Sequence, residues 1–264
     1  MLRNRLFLPE LPVQSSNIQR VVVAAAILLA SVPALAAELT VSAASSLTNA
    51  FREIAEGYQA QHPAAKVALN FGASGALLQQ LAKGAPVDVF ACADQQTMDL
   101  AQQQGLVKAA ERHDFVRNTL VLIVPLDTTS VPRRLEDLVP PGVKRIAIGI
   151  PASVPVGRYT KHALEAAKLW TVLAPKATNT QNVRQSLDYV ARGEVDAGFV
   201  YATDAALMQD KVKVAFEVPL EMAIRYPIAR TASSSNPAEA ERFVRYVLSP
   251  AGQAVLLKFG FRKP

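Results

Sequence analysis

The segment LTVSAASSLTNAFREIAEGY, residues 39–58, contains the unit from which the chain is built. Its first six residues form an apolar run typical of a buried strand, and the apolar residues of 47–58 recur at helical spacing. Small residues and hydroxyls, including Ser45 and Ser46, separate the two patterns. The segment therefore predicts a strand that ends directly at the N-terminus of an amphipathic helix.

The same alternation of strand and helix continues to the end of the chain. Further strands are predicted at residues 67–71, 87–92, 115–124, 145–150, 197–201, 212–218 and 224–229. Further helices are predicted at residues 76–82, 94–104, 158–169 and 183–192, and after Asn236-Pro237 and Ser249-Pro250. Asn236, together with Glu239 at the third helical position, and Ser249 are expected to cap the last two helices. Strands joined by helices run parallel in a sheet, so this order predicts an α/β fold.

The pattern divides the chain into two parts. Prolines interrupt the region after residue 124, and the alternation restarts at residue 145. We therefore predict two doubly wound α/β lobes joined by a two-crossing hinge. The first lobe is placed at residues 37–118 and 226–264, the second at residues 119–225, and the hinge at residues 118–122 and 225–227.

The N-terminal region has the pattern of a secretory signal. Arg3, Arg5 and Arg20 precede an apolar run at residues 21–35, and Ala34-Leu35-Ala36 supplies a small-x-small cleavage site. A retained anchor is the alternative, although Pro33 shortens the run below the roughly 20 apolar residues that span a bilayer. We predict a signal peptide at residues 1–36 and a periplasmic product. Since no cysteine follows the site, we expect no lipid anchor there.

Charge and composition exclude several function classes. Lys and Arg number 28 against 22 Asp and Glu, a net charge of +6, and the basic residues never occur in runs longer than two. Such a distribution provides no stripe for a nucleic-acid backbone, so no nucleic-acid partner is expected. One Cys and three His cannot form a disulfide framework or an ordinary zinc or iron-sulfur site. We expect no cofactor.

Three junctions between strand and helix share one chemistry. Residues 43–48, 71–76 and 151–157 combine small residues with hydroxyls or glycines. Backbone N–H groups at a helix N-terminus attract an anion, and glycines let a ligand approach the backbone closely. Ordinary helix capping explains any one of these junctions, but three of them in two lobes favour an anion site.

An enzymatic alternative starts from Ser74. The sequence Gly72-Ala73-Ser74-Gly75-Ala76 is close to the G-x-S-x-G nucleophile elbow, and His113 and His162 follow in the order that such hydrolases use. However, His113 is predicted in a charged turn and His162 at a solvated helical position. A secreted serine hydrolase that uses Ser74 is therefore the less favoured alternative, and we expect no enzymatic activity.

Several of these motifs together resemble a known family. The motifs are Ala43-Ala44-Ser45-Ser46-Leu47-Thr48-Asn49-Ala50, Phe71-Gly72-Ala73-Ser74-Gly75, Gly84-Ala85-Pro86-Val87-Asp88-Val89-Phe90, Ala93-Asp94, Pro155-Val156-Gly157-Arg158-Tyr159, Asn182-Val183-Arg184 and Gly198-Phe199-Val200-Tyr201. In this order, from about residue 39 to residue 261, the chain resembles the periplasmic molybdate-binding proteins of ABC transporters. The resemblance implies a type II periplasmic binding fold that closes over one tetrahedral oxyanion, molybdate or tungstate, and delivers it to a membrane permease.

The resemblance also implies five ligand residues. They are Ser46 and Ser74, each through its hydroxyl and N–H, Val156 and Val183 through their backbone N–H groups, and Tyr201 through its hydroxyl. Val156 stands where alanine is common in the family, which affects packing more than binding. Molybdenum would be held through its oxygens, with no residue acting as a direct cation ligand.

A site of this kind has a predictable selectivity. Neutral donors can hold a dianion without a buried ion pair. Because such a site offers no acceptor, it should prefer a fully ionised oxyanion over protonated phosphate, whereas sulfate can be distinguished only by size. We expect a monomer. The alternative within this fold is a protein that binds another small oxyanion or ligand.

Overall fold

Residues 38–264 are described by a computed structural model. The predicted signal peptide lies outside these residues. In the described part, no helix is long and apolar enough to cross a membrane.

The strands form two five-stranded sheets. The first has the order β2-β1-β3-β10-β4 and the second the order β7-β6-β8-β5-β9. The strand bounds are β1 Glu38–Ala44, β2 Lys66–Gly72, β3 Val89–Ala91, β4 His113–Asn118, β5 Leu120–Pro125, β6 Ile146–Gly149, β7 Ala177–Thr180, β8 Ala197–Tyr201, β9 Val212–Glu217 and β10 Ile224–Arg230. We call each sheet, together with the helices packed against it, a lobe.

The predicted helices occur in the predicted order, together with two unpredicted short helices, Trp170–Leu173 and Ala202–Ala205. Their bounds are α1 Thr48–Gln61, α2 Ser74–Ala82, α3 Gln95–Gln103, α4 Pro155–Ala166, α5 Trp170–Leu173, α6 Val183–Ala191, α7 Ala202–Ala205, α8 Pro237–Leu248 and α9 Pro250–Lys258. Helices α8 and α9 pack on the first lobe, where Phe243 of α8 contacts Phe51 and Tyr58 of α1 edge to face. Ser249 caps α9 as its sequence predicts, through Gly252 N.

One predicted cap is wrong. The side chain of Asn236 makes no capping hydrogen bond at the start of α8. Glu239, which was expected to complete that cap, instead accepts hydrogen bonds from the buried Tyr58 hydroxyl and from Arg242. Satisfying a buried hydroxyl is worth more than a cap at an end that water can reach.

In each sheet three neighbouring strands pair in parallel, and the other two pairings are antiparallel. β1 pairs in parallel with β2 and β3, and β6 pairs in parallel with β7 and β8, as the alternating pattern predicts. The antiparallel strand beside each parallel set arrives from the other lobe, since β10 pairs with β3 and β5 pairs with β8. The chain thus crosses between the lobes twice.

The first crossing divides the strand predicted at residues 115–124. β4 ends at Asn118 in the first sheet and β5 begins at Leu120 in the second, so only Thr119 lies between them. The Asn118 side chain accepts a hydrogen bond from Thr119 N, 2.9 Å away, which replaces a sheet partner at the break. The second crossing runs through residues 218–223, and the segment 225–227 lies inside β10.

Strand β7 is absent from the sequence-based prediction. Its sequence, Ala-Thr-Asn-Thr, lacks the apolar run of a buried parallel strand. It lies at the edge of the second sheet with β6 as its only neighbour, so little of it needs to be apolar.

Candidate functional site

A small cavity lies between the lobes, where the carboxyl ends of strands from both sheets face each other. Its volume is about 10 Å³, measured as the space open to the centre of a water-sized sphere, far below the roughly 300 to 1,000 Å³ of pockets that hold organic ligands. The lining residues are Ala44, Ser45, Ser46, Gly72, Ala73, Ser74, Ala93, Val154, Pro155, Val156, Val183 and Tyr201. All five predicted ligand residues are among them, and each is at most 3% exposed. The five residues are therefore buried where the two lobes meet.

Helix N-termini supply backbone donors to this cavity. Ser74 and Val183 are the first residues of α2 and α6, and Val156 is the second residue of α4. The first N–H groups of a helix have no partner within the helix. In α6 the Asn182 side chain accepts from Arg184 N at 3.0 Å and Gln185 N at 3.1 Å, which leaves Val183 N available to the cavity. The arrangement suits an anion.

The hydroxyls at the cavity are also arranged as donors. Ser74 Oγ accepts a hydrogen bond from Ala93 N at 3.1 Å, so the Ser74 proton is free to point elsewhere. The Tyr201 hydroxyl is buried and has no hydrogen-bond partner among the described residues. Burial raises the pKa of Tyr201 well above its usual value, and nearby Tyr226 raises it further. Tyr201 therefore keeps its proton and can donate it to a ligand.

Charged residues lie outside the cavity and join the lobes. Arg158 of α4 donates to Asp94 Oδ2 at 2.6 Å and to Thr97 Oγ1 at 2.7 Å in the first lobe. Arg184 of α6 donates to Asn49 Oδ1 at 2.9 Å. These bonds hold the lobes together without placing a charged side chain in the cavity wall.

The backbone makes a third contact between the lobes. Gly75 N of α2 donates to Ser153 O of the second lobe at 3.0 Å. A β-carbon at Gly75 would lie 2.7 Å from that oxygen and 2.8 Å from Ser153 Cα. The close approach of the two lobes therefore requires glycine at this position.

The geometry gives no support to a hydrolase. Among residues 38–264, the hydrogen-bond partner of Ser74 Oγ is Ala93 N, and no histidine bonds to it. His113 begins β4 at an exposed position. His162 is only partly exposed, contrary to its predicted solvation, because it lines a groove on the second lobe with its Nε2 buried. Ser74 thus has no base within the described structure.

That groove is larger than the cavity but differs in character. Its volume on the same measure is about 530 Å³, and its walls are largely apolar, with Leu135, Phe216 and Leu220 beside His162. Arginines and glutamates both line its edge, so it has no single charge preference. None of the five predicted ligand residues lines it. The described residues also contain no cluster of three or more His, Cys, Asp or Glu that could hold a metal ion.

Arg184, which contacts Asn49 of the first lobe, also forms an ion pair with Asp204 of the second lobe. Asp204 Oδ1 accepts from Arg184 Nε at 2.5 Å, while Oδ2 is buried without a partner in the described structure. Burial raises the pKa of Asp204 from 3.8 to about 6, and the Arg184 guanidinium offsets only part of this effect. The folded protein therefore holds this proton more tightly than the unfolded chain does.

This difference predicts a pH dependence of stability. The folded-state pKa lies above the unfolded value, so the contribution of Asp204 to stability is lost as the pH rises from about 4 to about 6. In Asp204→Asn the unfolding free energy should therefore rise relative to wild type across this window. Denaturant unfolding at several pH values measures it, with Asp210→Asn, which removes an exposed carboxylate, as the control. A constant difference between variant and wild type would contradict the expectation.

The sequence does not reveal which residues support the ligand positions. Arg158 and Arg184 belong to motifs that the sequence singles out, but their partners in the first lobe are distant in the chain. Tyr226 and Asn118, whose side chains lie behind Ser46, belong to no such motif. The Asn182 cap is the one local signal that could have indicated the free N–H of Val183.

Two lobes closed over a buried cavity of donors define a solute-binding protein. The family model of bacterial extracellular solute-binding proteins matches residues 39–262, and the chain belongs to this family. The molybdate-binding protein ModA of Escherichia coli is 33% identical over 231 residues, which cover 85% of this chain and 88% of that protein. ModA of Mycobacterium tuberculosis H37Rv is 35% identical over 230 residues, covering 87% and 86%. These relatives confirm the family resemblance seen in the sequence.

The solved structures agree with the fold. The periplasmic molybdate-binding protein of Azotobacter vinelandii matches with a TM-score of 0.75 at 24% identity, over 86% of this chain and 99% of that one. The predicted fold class, two α/β lobes of the type II periplasmic binding arrangement, is therefore confirmed.

Proposed function

We propose that this protein captures molybdate between its lobes and delivers it to the permease of an ABC transporter. The observation that carries the proposal is the buried Tyr201 hydroxyl, which has no partner among the described residues and lines a cavity with no charged residue in its wall. A buried hydroxyl without a hydrogen bond costs about 1 to 3 kcal/mol, a cost that an anion in the cavity removes. The names of the ModA relatives support molybdate as that anion.

The proposed ligands are Ser46, Ser74, Val156, Val183 and Tyr201. Their donors are two serine hydroxyls, one tyrosine hydroxyl and N–H groups at helix N-termini. Each hydrogen bond to a charged acceptor contributes about 1.5 to 3 kcal/mol, so several together support tight binding after the costs of closure. A donor-only site of this kind favours molybdate and tungstate, which are fully ionised, over protonated phosphate.

The remaining parts of the proposal follow from this role. A periplasmic location is supported by the extracellular solute-binding family and by the signal pattern at residues 1–36. We propose that the protein acts as a monomer without a cofactor and without chemical turnover of its ligand. Tungstate is proposed as a second ligand because its size and charge match those of molybdate.

Thermal unfolding with four oxyanions tests the function. The purified protein is melted with molybdate, tungstate, sulfate or phosphate at equal concentration. A ligand at 1,000 times its dissociation constant stabilises the fold by about 4.1 kcal/mol. We expect a large upward shift of Tm with molybdate and tungstate, and a small or absent shift with sulfate and phosphate.

Other results would change the proposal. A large shift with sulfate alone would assign the site to a smaller oxyanion, and no shift with any of the four would remove the oxyanion altogether. Hydrolysis of an activated ester that disappears in Ser74→Ala would favour the serine hydrolase instead.

A further inference from the structure

Behind Ser46 lies a buried chain of hydrogen bonds that ends at the hinge. Ser46 Oγ lies 3.0 Å from the Tyr226 hydroxyl, and that hydroxyl lies 3.2 Å from Asn118 Nδ2. Asn118 is the last residue of β4, and its Nδ2 also donates to Thr203 Oγ1 of the second lobe at 2.9 Å. The chain thus connects one proposed ligand residue with the point where the backbone crosses between the lobes.

The direction of the chain is set at its Asn118 end. Asn118 Oδ1 accepts a hydrogen bond from Thr119 N at 2.9 Å, which identifies the other atom, Nδ2, as the donor to Tyr226. Among the described residues, the Tyr226 hydroxyl has two partners, Asn118 and Ser46. Since Asn118 can only donate to it, the Tyr226 proton is satisfied only if it is donated to Ser46 Oγ.

The opposite direction is costly. If Ser46 donated to Tyr226, the buried Tyr226 proton would have no acceptor, a cost of about 1 to 3 kcal/mol. Burial raises the pKa of Tyr226 well above its usual value, so the hydroxyl does not lose that proton instead. The ring has little freedom to turn away, because Tyr201, Phe115 and Phe261 each contact it edge to face.

We infer that Asn118 and Tyr226 are positioning residues of the anion site, which fix the Ser46 hydroxyl as a donor toward the cavity. The inference rests on the proposed function, because it concerns one of its ligands. With Tyr226 donating to Ser46 Oγ, the Ser46 proton points to the cavity and meets an anion without reorientation. The preference for a fully ionised oxyanion then depends on two residues that lie behind the cavity wall, Asn118 and Tyr226.

Reversing the direction of the hydrogen bonds between Asn118, Tyr226 and Ser46 tests the inference. In Asn118→Asp the carboxylate accepts from Tyr226, so Tyr226 no longer donates to Ser46, and the Tyr226 oxygen competes with the anion as the acceptor of the Ser46 proton. We expect molybdate affinity, measured by calorimetric titration, to fall roughly 10- to 150-fold, the loss of one hydrogen bond to a charged group. In a Ser46→Ala background the same change should cost clearly less, because only the effect of the added charge remains when there is no hydroxyl left to orient.

This comparison separates the effect of the added negative charge from the effect of the hydrogen-bond chain. A loss that is equally large with and without the Ser46 hydroxyl would mean that the introduced carboxylate acts by charge alone, and it would overturn the inference. An unchanged affinity in Asn118→Asp would also overturn it. If wild type binds no oxyanion, the proposed function itself fails, whereas normal wild-type binding with equal losses removes only the positioning role.

Tyr226→Phe provides a second variant if Asn118→Asp does not fold. It keeps the ring and removes the donor, so Ser46 must order its own proton. We expect a loss of roughly 2- to 10-fold, the value of one neutral hydrogen bond. This loss should vanish in the Ser46→Ala background. A loss that persists there would assign Tyr226 a purely structural role and overturn the inference.

Discussion

Gly75→Ala should fold normally but bind molybdate roughly 5- to 150-fold more weakly, as expected for about 1 to 3 kcal/mol of overpacking at the contact between the lobes. The new β-carbon would lie 2.7 Å from Ser153 O and 2.8 Å from Ser153 Cα. Both atoms belong to the backbone of the opposite lobe, so no side-chain rotation relieves the clash. Calorimetric titration gives the affinity, and small-angle scattering shows whether the lobes still close.

The prediction is specific because the substitution should affect the closure of the two lobes and not the folding of the lobe that contains Gly75. Gly75 is helical, and alanine is a better helix former than glycine, so the substitution should not disturb the folding of the first lobe itself. Gly142→Ala is the matched control, because a β-carbon there meets no atom within 4 Å. Wild-type affinity in Gly75→Ala, with the compact dimensions of the bound protein, would show that the lobes tolerate the added methyl group.

Most strands and helices could be predicted because each depends on a local sequence pattern. Each predicted strand and helix depends on a periodicity within about ten residues, and β8 has the predicted bounds. The lobe boundary was placed between residues 118 and 119, but the end of one strand and the start of another at that point were not predicted, because the apolar pattern of residues 115–124 is continuous and only the two separate sheets divide it. β7 has no apolar pattern to detect, since an edge position requires none.

The site divides in the same way. The composition of the local junctions around Ser46 and Ser74 indicated an anion site, but the five ligand residues came from the family resemblance. Val156 and Val183 depend on it most, because a backbone donor leaves no mark on the side chain. Neither local composition nor the family resemblance predicts the hydrogen bonds that support these residues. Ser46 and Tyr226 are 180 residues apart, and Arg184 reaches Ser46 O over 138 residues. Such contacts exist only after both lobes have formed and closed.

Tyr201→Phe should weaken molybdate binding by roughly 10- to 150-fold while leaving the stability of the anion-free protein unchanged or higher. The hydroxyl is buried and has no partner in residues 38–264, so its removal costs the anion-free fold no hydrogen bond. With an anion bound, the same hydroxyl donates to a charged acceptor, a contribution of about 1.5 to 3 kcal/mol. Unfolding without ligand and calorimetric titration with molybdate measure the two effects separately.

Tyr189→Phe is the matched control, since its hydroxyl accepts from Gln185 Nε2 at 3.1 Å and does not line the cavity. It should keep wild-type affinity. If Tyr201→Phe instead destabilised the anion-free protein and left the affinity intact, the hydroxyl would serve the core and not the ligand. Truncation of a side chain that contributes to packing lowers stability, whereas removal of a donor that binds the ligand lowers affinity alone. We expect the second outcome, because the buried Tyr201 hydroxyl has no partner in residues 38–264.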